Sequence, residues 1–176
     1  MPPSNQTDKK IDHLFFNIFE LDPLNEEDAI SDLIKSVIAQ ELKPAKWVLV
    51  DDGSTDKSLQ IIQKLTKDQN WISVIQLDHK TKKRSIGAKI INAFNSGLHT
   101  ISIDDYGIIM KLDADLILPP NYIKEITSQF RNNPSIGLCG GVCGLINQGE
   151  IKLERITNLD HVRGALKAYR KECFKQ

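Results

Sequence analysis

Apolar residues gather along this chain in short solid runs and in helical stripes, and the two kinds take turns. Leu14 to Phe19 is a short apolar and aromatic run that predicts a first strand, closed off by Pro23 and Asn25. From Asp28 to Gln40, the residues Ile30, Leu33, Ile34, Val37 and Ile38 recur at helical spacing, which places them on one face. Pro44 follows, and Trp47-Val48-Leu49-Val50 is unbroken in the way a strand covered on both faces must be. Leu59, Ile62 and Leu65 mark a second helix, with Ser54 or Thr55 placed to cap it. Ile72–Leu77 predicts another strand, and Ile86 to Leu98 a helix with Ile90, Ile91, Phe94 and Leu98 on one side. Ile108–Leu112 predicts a central strand, and Pro119-Pro120 opens a helix carrying Tyr122, Ile123, Ile126 and Phe130. Ile136–Val142 is rich in Gly and predicts one more strand, its glycines allowing close backbone approach.

Strands alternating with helices imply βαβ units, and hence an α/β fold with a largely parallel central sheet flanked by helices. Residues 1–12 are polar and Pro-punctuated and are expected to form a flexible tail, leaving 13–176 as one domain. No internal repeat or second domain is evident, and 176 residues suffice for a single substantial core.

Composition narrows the class only a little. Apolar content of 40% and charged content of 26% are ordinary for a globular protein. Lys plus Arg and Asp plus Glu stand at 23 each, so no global field draws the chain to nucleic acid. Local charge is less even. His79-Lys80-Thr81-Lys82-Lys83-Arg84 is basic, as is the C-terminal set Arg163, Lys167, Arg170, Lys171 and Lys175. A solvated face is the ordinary reading of such runs, with phosphate binding or peripheral membrane contact as the functional alternative. Cys139, Cys143 and Cys173 match no zinc spacing and read as reduced, mostly buried thiols of a cytoplasmic protein. No apolar run approaches the roughly 20 residues needed to span a membrane.

Chemistry concentrates at two acidic clusters, each at the exit of an apolar run. The first is Asp51-Asp52-Gly53-Ser54-Thr55-Asp56; the second is Asp113-Ala114-Asp115. Carboxylates at strand ends face the crevice where open α/β sheets bind ligands. A D-x-D pair offers two hard oxygens to Mg2+ or Mn2+, which keeps open positions for diphosphate oxygens. Alone that signal is weak. The Asp-Asp-Gly-Ser-Thr-Asp turn asks for more: a Gly for a tight turn, and a Ser or Thr before a helix whose N-terminus favours anions. A carboxylate there can accept hydrogen bonds from a base N–H and ribose hydroxyls, although Ser54 and Asp56 serve equally well as simple helix starters.

With both clusters in view, the chain resembles the family 2 glycosyltransferases, whose nucleotide-sugar-binding fold is called GT-A. The resemblance rests on Val50 to Asp56, on Lys111-Leu112-Asp113-Ala114-Asp115, and on three supporting segments. These are Asn25-Glu26-Glu27 with the helix ending at Gln40, then Arg84-Ser85-Ile86-Gly87-Ala88-Lys89, then His161 to Ala165 with Tyr169 to Phe174. It implies transfer of a sugar, commonly from a UDP-sugar, to a saccharide or lipid-linked acceptor hydroxyl with inversion, in cell envelope polysaccharide biosynthesis. By this resemblance Asp52 reads the base, with Asp51 assisting, and Arg84 lies near the base or phosphates. Ser54 and Lys89 join the donor-binding set. Asp113 contacts ribose or metal, Asp115 is the principal metal ligand, and Arg163 and Gly164 line the sugar or acceptor side. His161 is left outside the metal site.

Two departures accompany the resemblance. Phe15 to Leu24 matches the family's first nucleotide-covering loop poorly. The family's general base would fall beyond Gln176, and neither Asp160 nor Glu172 matches it, so a fragment with weak donor binding and slow turnover is expected. The alternative is a non-catalytic nucleotide-sugar-binding module. A phospho-acceptor domain and a D-x-D phosphatase explain fewer of the motifs, since the first leaves the Gly-Ser-Thr-Asp turn unaccounted for and the second needs its D-x-D near the chain start.

Overall fold

Strand and helix do alternate, and they build a six-stranded sheet between helical layers. The computed structural model describes residues 14–18, 26–77, 86–147, 150–153 and 161–175, with the backbone alone at 14–18, 26, 86–90 and 147. In chain order the strands are β1 (Leu14–Ile18), β2 (Lys46–Asp51), β3 (Ile72–Gln76), β4 (Ile108–Leu112), β5 (Leu138–Cys139), β6 (Gly144–Asn147), β7 (Glu150–Leu153) and β8 (Leu166–Arg170). The helices are α1 (Glu26–Ile38), α2 (Ser58–Thr66), α3 (Ile86–Leu98), α4 (Tyr122–Asn132) and α5 (Lys171–Phe174). The main sheet runs β3-β2-β1-β4-β8-β5, while β6 and β7 form a separate hairpin.

From β3 across to β4 every pairing is parallel. Then β8 runs antiparallel to β4, and β5 antiparallel to β8. Alternation along the strands sends Trp47, Leu49, Met110 and Leu112 to one face, where Leu33 and Ile34 of α1, Ile62 of α2 and Phe130 of α4 cover them. Val48, Val50 and Ile109 point the other way and pack with Ala93 of α3. Both faces are therefore dry, which is why β2 and β4 read as solid apolar runs rather than alternating ones.

The C-terminal third departs from expectation. Of Ile136–Val142, only Leu138 and Cys139 pair as strand. Glycines there bring backbones together instead of extending the sheet. A Cβ on Gly140 would fall 2.5 Å from the Leu166 carbonyl oxygen, and one on Gly141 would fall 2.8 Å from the Tyr122 ring. The Gly141 N–H turns out of the sheet to donate to the Tyr122 hydroxyl at 3.1 Å. Strand β8 has no counterpart among the predicted strands. Its sequence, Leu-Lys-Ala-Tyr-Arg, has only Leu166 and Ala168 as buried positions, too few to signal a strand without its neighbours. The cysteines are also less enclosed than expected: Cys139 and Cys143 are half-buried and Cys173 is exposed, all three free. Burial pushes the Cys139 thiol up from its ordinary pKa.

Helix α1 is stitched to the chain that leads into α4. The amide of Gln40, a buried side chain, donates to the Ser36 and Pro119 carbonyls at 3.2 and 2.6 Å. Its oxygen accepts from the Ile123 N–H at 2.9 Å, satisfying one of the bare donors at the start of α4. Beside it the Ser36 hydroxyl accepts from the Leu118 N–H at 3.1 Å. Replacing Gln40 with Ala orphans a buried donor and a carbonyl together. Urea unfolding of Gln40→Ala is expected to show a loss of about 2–3 kcal/mol, against near-neutral change at the exposed neighbour Glu41.

Candidate functional site

Register through β1 decides where the two acidic clusters stand. Ile18 of β1 lies opposite Leu49 of β2 on one side and Leu112 of β4 on the other. The strands are parallel, so both exits open at the same edge of the sheet and at nearly the same height. With one strand between them and a spacing near 4.8 Å per strand, the exits are on the order of 10 Å apart. That spacing sets the two acidic exits side by side along one edge of the sheet.

At the β2 exit, Asp51 continues the alternation of Trp47 and Leu49 and is buried. Its Oδ1 accepts the Ser54 N–H at 3.0 Å and also the Ser54 hydroxyl. Its main-chain oxygen accepts the Leu77 N–H at 2.9 Å, tying the turn to the end of β3. The second carboxylate oxygen, Oδ2, is buried and has no hydrogen-bond partner among the described residues. Gly53 sits at φ 97°, the left-handed region that costs a side chain strain, and so lets the chain reverse. Asp52 is half-buried at the start of that reversal. Asp51 and Ser54 thus hold each other and shape the turn that presents Asp52.

Capping falls to a different residue from those expected. Helix α2 begins at Ser58, beyond the reach of Ser54 and Thr55, with Lys57 at its N-cap position. The Ser58 N–H donates to Asp56 Oδ1 at 3.0 Å, and the Lys57 N–H to Glu27 Oε1 at 3.2 Å. The Ser58 bond favours the ionised carboxyl and lowers the Asp56 pKa.

At the β4 exit, Ala114 is buried and turns the chain between its two acidic neighbours. Asp113 is partly exposed and Asp115 exposed. The Asp113 N–H donates to the Ala165 carbonyl at 2.8 Å, so the cluster is fixed against the start of β8. Lys111 lies two residues back and on the same face. Its ammonium donates to the Asp113 carboxylate and, at 3.1 Å, to the Gly164 carbonyl. Sequence reasoning missed this lysine, although strand alternation places residue 111 beside residue 113. Gly164 is exposed, and a Cβ built on it would meet nothing within 4 Å. Arg163 is half-buried and His161 exposed.

The antiparallel course of β8 sorts the remaining candidates. Its first residue, Leu166, pairs with Leu112 at the site, and its last, Arg170, pairs with Ile108 at the opposite end. Glu172 therefore lies at the far end of the sheet. So does most of the basic C-terminal set. Arg170 donates to the Phe130, Asn133 and Ile136 carbonyls, and Lys175 to Asp104 at 2.5 Å. Only Arg163 and Lys167 stand near the acidic crevice. Arg84 and Asp160 lie outside the described residues, and of Lys89 only the backbone, in the first turn of α3, is described.

Among the described residues no group of three His, Cys, Asp or Glu side chains gathers to hold a metal ion. Two carboxylates separated by one residue nevertheless suit Mg2+ or Mn2+, a hard cation commonly held by one or two protein carboxylates with phosphate and water completing its shell.

Residues 24–172 match the model of the glycosyl transferase family 2, and the chain belongs to that family. It is 26% identical over 158 residues to the poly-beta-1,6-N-acetyl-D-glucosamine synthase of Staphylococcus aureus strain MSSA476, covering 90% of this chain and 35% of the relative. The synthase of that name from Staphylococcus epidermidis is 26% identical over 137 residues, 78% of this chain and 30% of the relative. The chain thus spans about a third of the length of these curated relatives. Its fold is that of solved GT-A glycosyltransferases. Residues 1–349 of S. aureus TarS superpose at TM-score 0.61 with 20% identity, over 93% of this chain and 48% of that one. The mannosyltransferase PcManGT of Pyrobaculum calidifontis, solved with GDP-Man and Mn2+, gives 0.60 at 15% identity, over 91% and 45%. Glucosyl-3-phosphoglycerate synthase of Mycobacterium tuberculosis, solved with Mn2+, UDP and glucosyl-3-phosphoglycerate, gives 0.59 at 18% identity, over 98% and 63%.

Two measurements test the β2 turn. Gly53→Ala forces a side chain into the left-handed region and is expected to cost about 1 kcal/mol or more in chemical denaturation. Asp56→Ala removes a solvent-screened capping bond, for a loss of roughly 0.5–1 kcal/mol at neutral pH. Because the folded-state pKa of Asp56 is depressed, its contribution is full above the ordinary carboxylate value of 3.8 and is lost as pH falls through the folded value. Wild type and Asp56→Ala should therefore converge in stability on acidification below pH 3.8.

Proposed function

We propose that this chain is the donor-binding domain of an inverting glycosyltransferase, moving a sugar from a nucleoside diphosphate, UDP in the first instance, to an acceptor hydroxyl. The observation that carries the reading is the level placement of two acidic exits one strand apart at the carboxyl edge of a parallel sheet. Membership of the family and the nucleotide-bound neighbours support it.

In this reading the two clusters divide the donor. Asp52, presented by the Asp51–Ser54 turn, accepts the N–H of the base, with Asp51 assisting through its buried, unpartnered Oδ2. Asp113 takes the ribose side, and Asp115 supplies the main carboxylate oxygen to Mg2+ or Mn2+, which when bound neutralises charge growing on the departing diphosphate. Arg163 and the uncrowded Gly164 face the transferred sugar, since the β8 start lies against Asp113. Arg84 and Lys89 complete the phosphate side. We assign no acceptor base among the described residues. The acceptor class is a saccharide or lipid-linked sugar, the saccharide being in keeping with the poly-N-acetylglucosamine synthase name of the Staphylococcus relatives. No helix among the described residues is long and apolar enough to cross a membrane.

Calorimetric titration with UDP, GDP and their sugars, with and without Mn2+, tests this assignment. Metal-dependent UDP binding is expected, weakened by about tenfold or more in Asp115→Ala and in Asp52→Ala. Binding that ignores Mn2+ and survives both substitutions would overturn the donor site. Metal-dependent binding with no sugar transfer to any acceptor would leave a nucleotide-sugar-binding module.

A further inference from the structure

Lys111 is a cation built into a site read as holding another cation. It lies on the central strand β4, and its side chain is only 20% exposed. Period-two alternation throws it to the same face as Asp113, and the ammonium bridges the Asp113 carboxylate and the Gly164 carbonyl. The Asp113 N–H meanwhile donates to the Ala165 carbonyl at 2.8 Å. Main chain and side chain therefore tether Asp113 to the same short turn, the one that leads into β8. Asp115, past the buried Ala114, makes no such bond among the described residues and stands exposed.

From this arrangement we propose that Lys111 is a positioning residue that makes metal loading depend on the donor. Its ammonium occupies one oxygen of Asp113 and adds a positive charge beside the D-x-D turn. Asp115 is left as the open carboxylate. A divalent ion meets one engaged carboxylate, one free carboxylate and a like charge, so it binds weakly by itself. A diphosphate brings the negative charge that offsets the ammonium and completes the metal shell. The clamp also keeps Gly164 in a fixed place against Asp113, so metal and sugar side are held in one frame. This inference rests on Asp113 and Asp115 being the metal site, but not on which nucleotide or sugar is bound.

The test measures Mn2+ affinity without nucleotide, by water-proton relaxation, for wild type, Lys111→Met, Lys111→Gln and Lys111→Arg. Two neutral variants are included so that one poorly folding protein does not decide the result, and circular dichroism and melting establish which are folded. Removing a unit charge a few ångströms from the ion is expected to tighten Mn2+ binding about fivefold or more in Met and Gln. Arg keeps the charge and should stay within about twofold of wild type. The gain in Mn2+ affinity on adding UDP should shrink in the neutral variants. A merely structural lysine predicts weaker binding on its loss. Unchanged or weaker Mn2+ binding in a folded neutral variant, or no Mn2+ binding to any of the four, overturns the proposal. Failure of the wild type to bind UDP is a separate outcome and sinks the nucleotide reading, since the Mn2+ measurement contains no nucleotide.

Discussion

Parallel pairing of β2 and β4 across β1 is the constraint on which the rest depends. Parallel strands in register deliver their carboxyl ends to one edge, and β1 fixes the offset between its two neighbours. A two-residue slip of β2 would carry Asp51 and Asp52 out of level with Asp113 by about 7 Å while preserving the faces. A one-residue slip would turn Trp47 and Leu49 away from α1 and α4 and expose the largest core side chains. Core packing therefore polices the height of the site, because the residues that fill it share strands with those that line the crevice.

Polar stitching then freezes what the sheet has levelled. Around the first exit, Asp51 and Ser54 close the turn and β3 holds its carbonyl. Around the second, Ser36 and Gln40 at the end of α1 hold the segment that follows Asp115, while β8 holds Asp113 from the other side. These bonds span long stretches of sequence, and each buried partner lost leaves a donor or acceptor without water. The antiparallel β8 has a second effect. It brings the Arg163–Ala165 turn to the site and carries Arg170, Lys171 and Lys175 to the opposite end.

The α/β class, the strands β2, β3 and β4 and the helices α1 to α4 were legible in the sequence, with ends off by at most a few residues. Trp47 to Val50 and Ile108 to Leu112 are covered on both faces, so burial writes itself as an unbroken apolar run. Helices α1 and α4 lie on one face of the sheet and show the matching stripe. Both acidic clusters were legible too, because a turn with Gly at positive φ and a D-x-D pair constrain residue type locally. Strand β8 and the short reach of β5 were not. Their residues take meaning from contacts with β4 and with Tyr122, far away along the chain. The capping role of Asp56 and the dual bond of Lys111 escaped for the same reason at smaller scale: side-chain geometry chose among several residues of suitable type.

The sequence by itself determined the alternating architecture, the two acidic strand ends and membership of a glycosyltransferase family, since periodicity and motif spacing are properties of neighbours along the chain. Tertiary structure decided that Asp51 is a buried turn-holder beside the presented Asp52, that Glu172 is remote, and that Lys111 clamps Asp113 to Gly164. The remoteness of Glu172 and the Lys111–Gly164 bond follow from strand order and direction, which no local pattern encodes, while the fate of Asp51 follows from burial of the strand end that carries it.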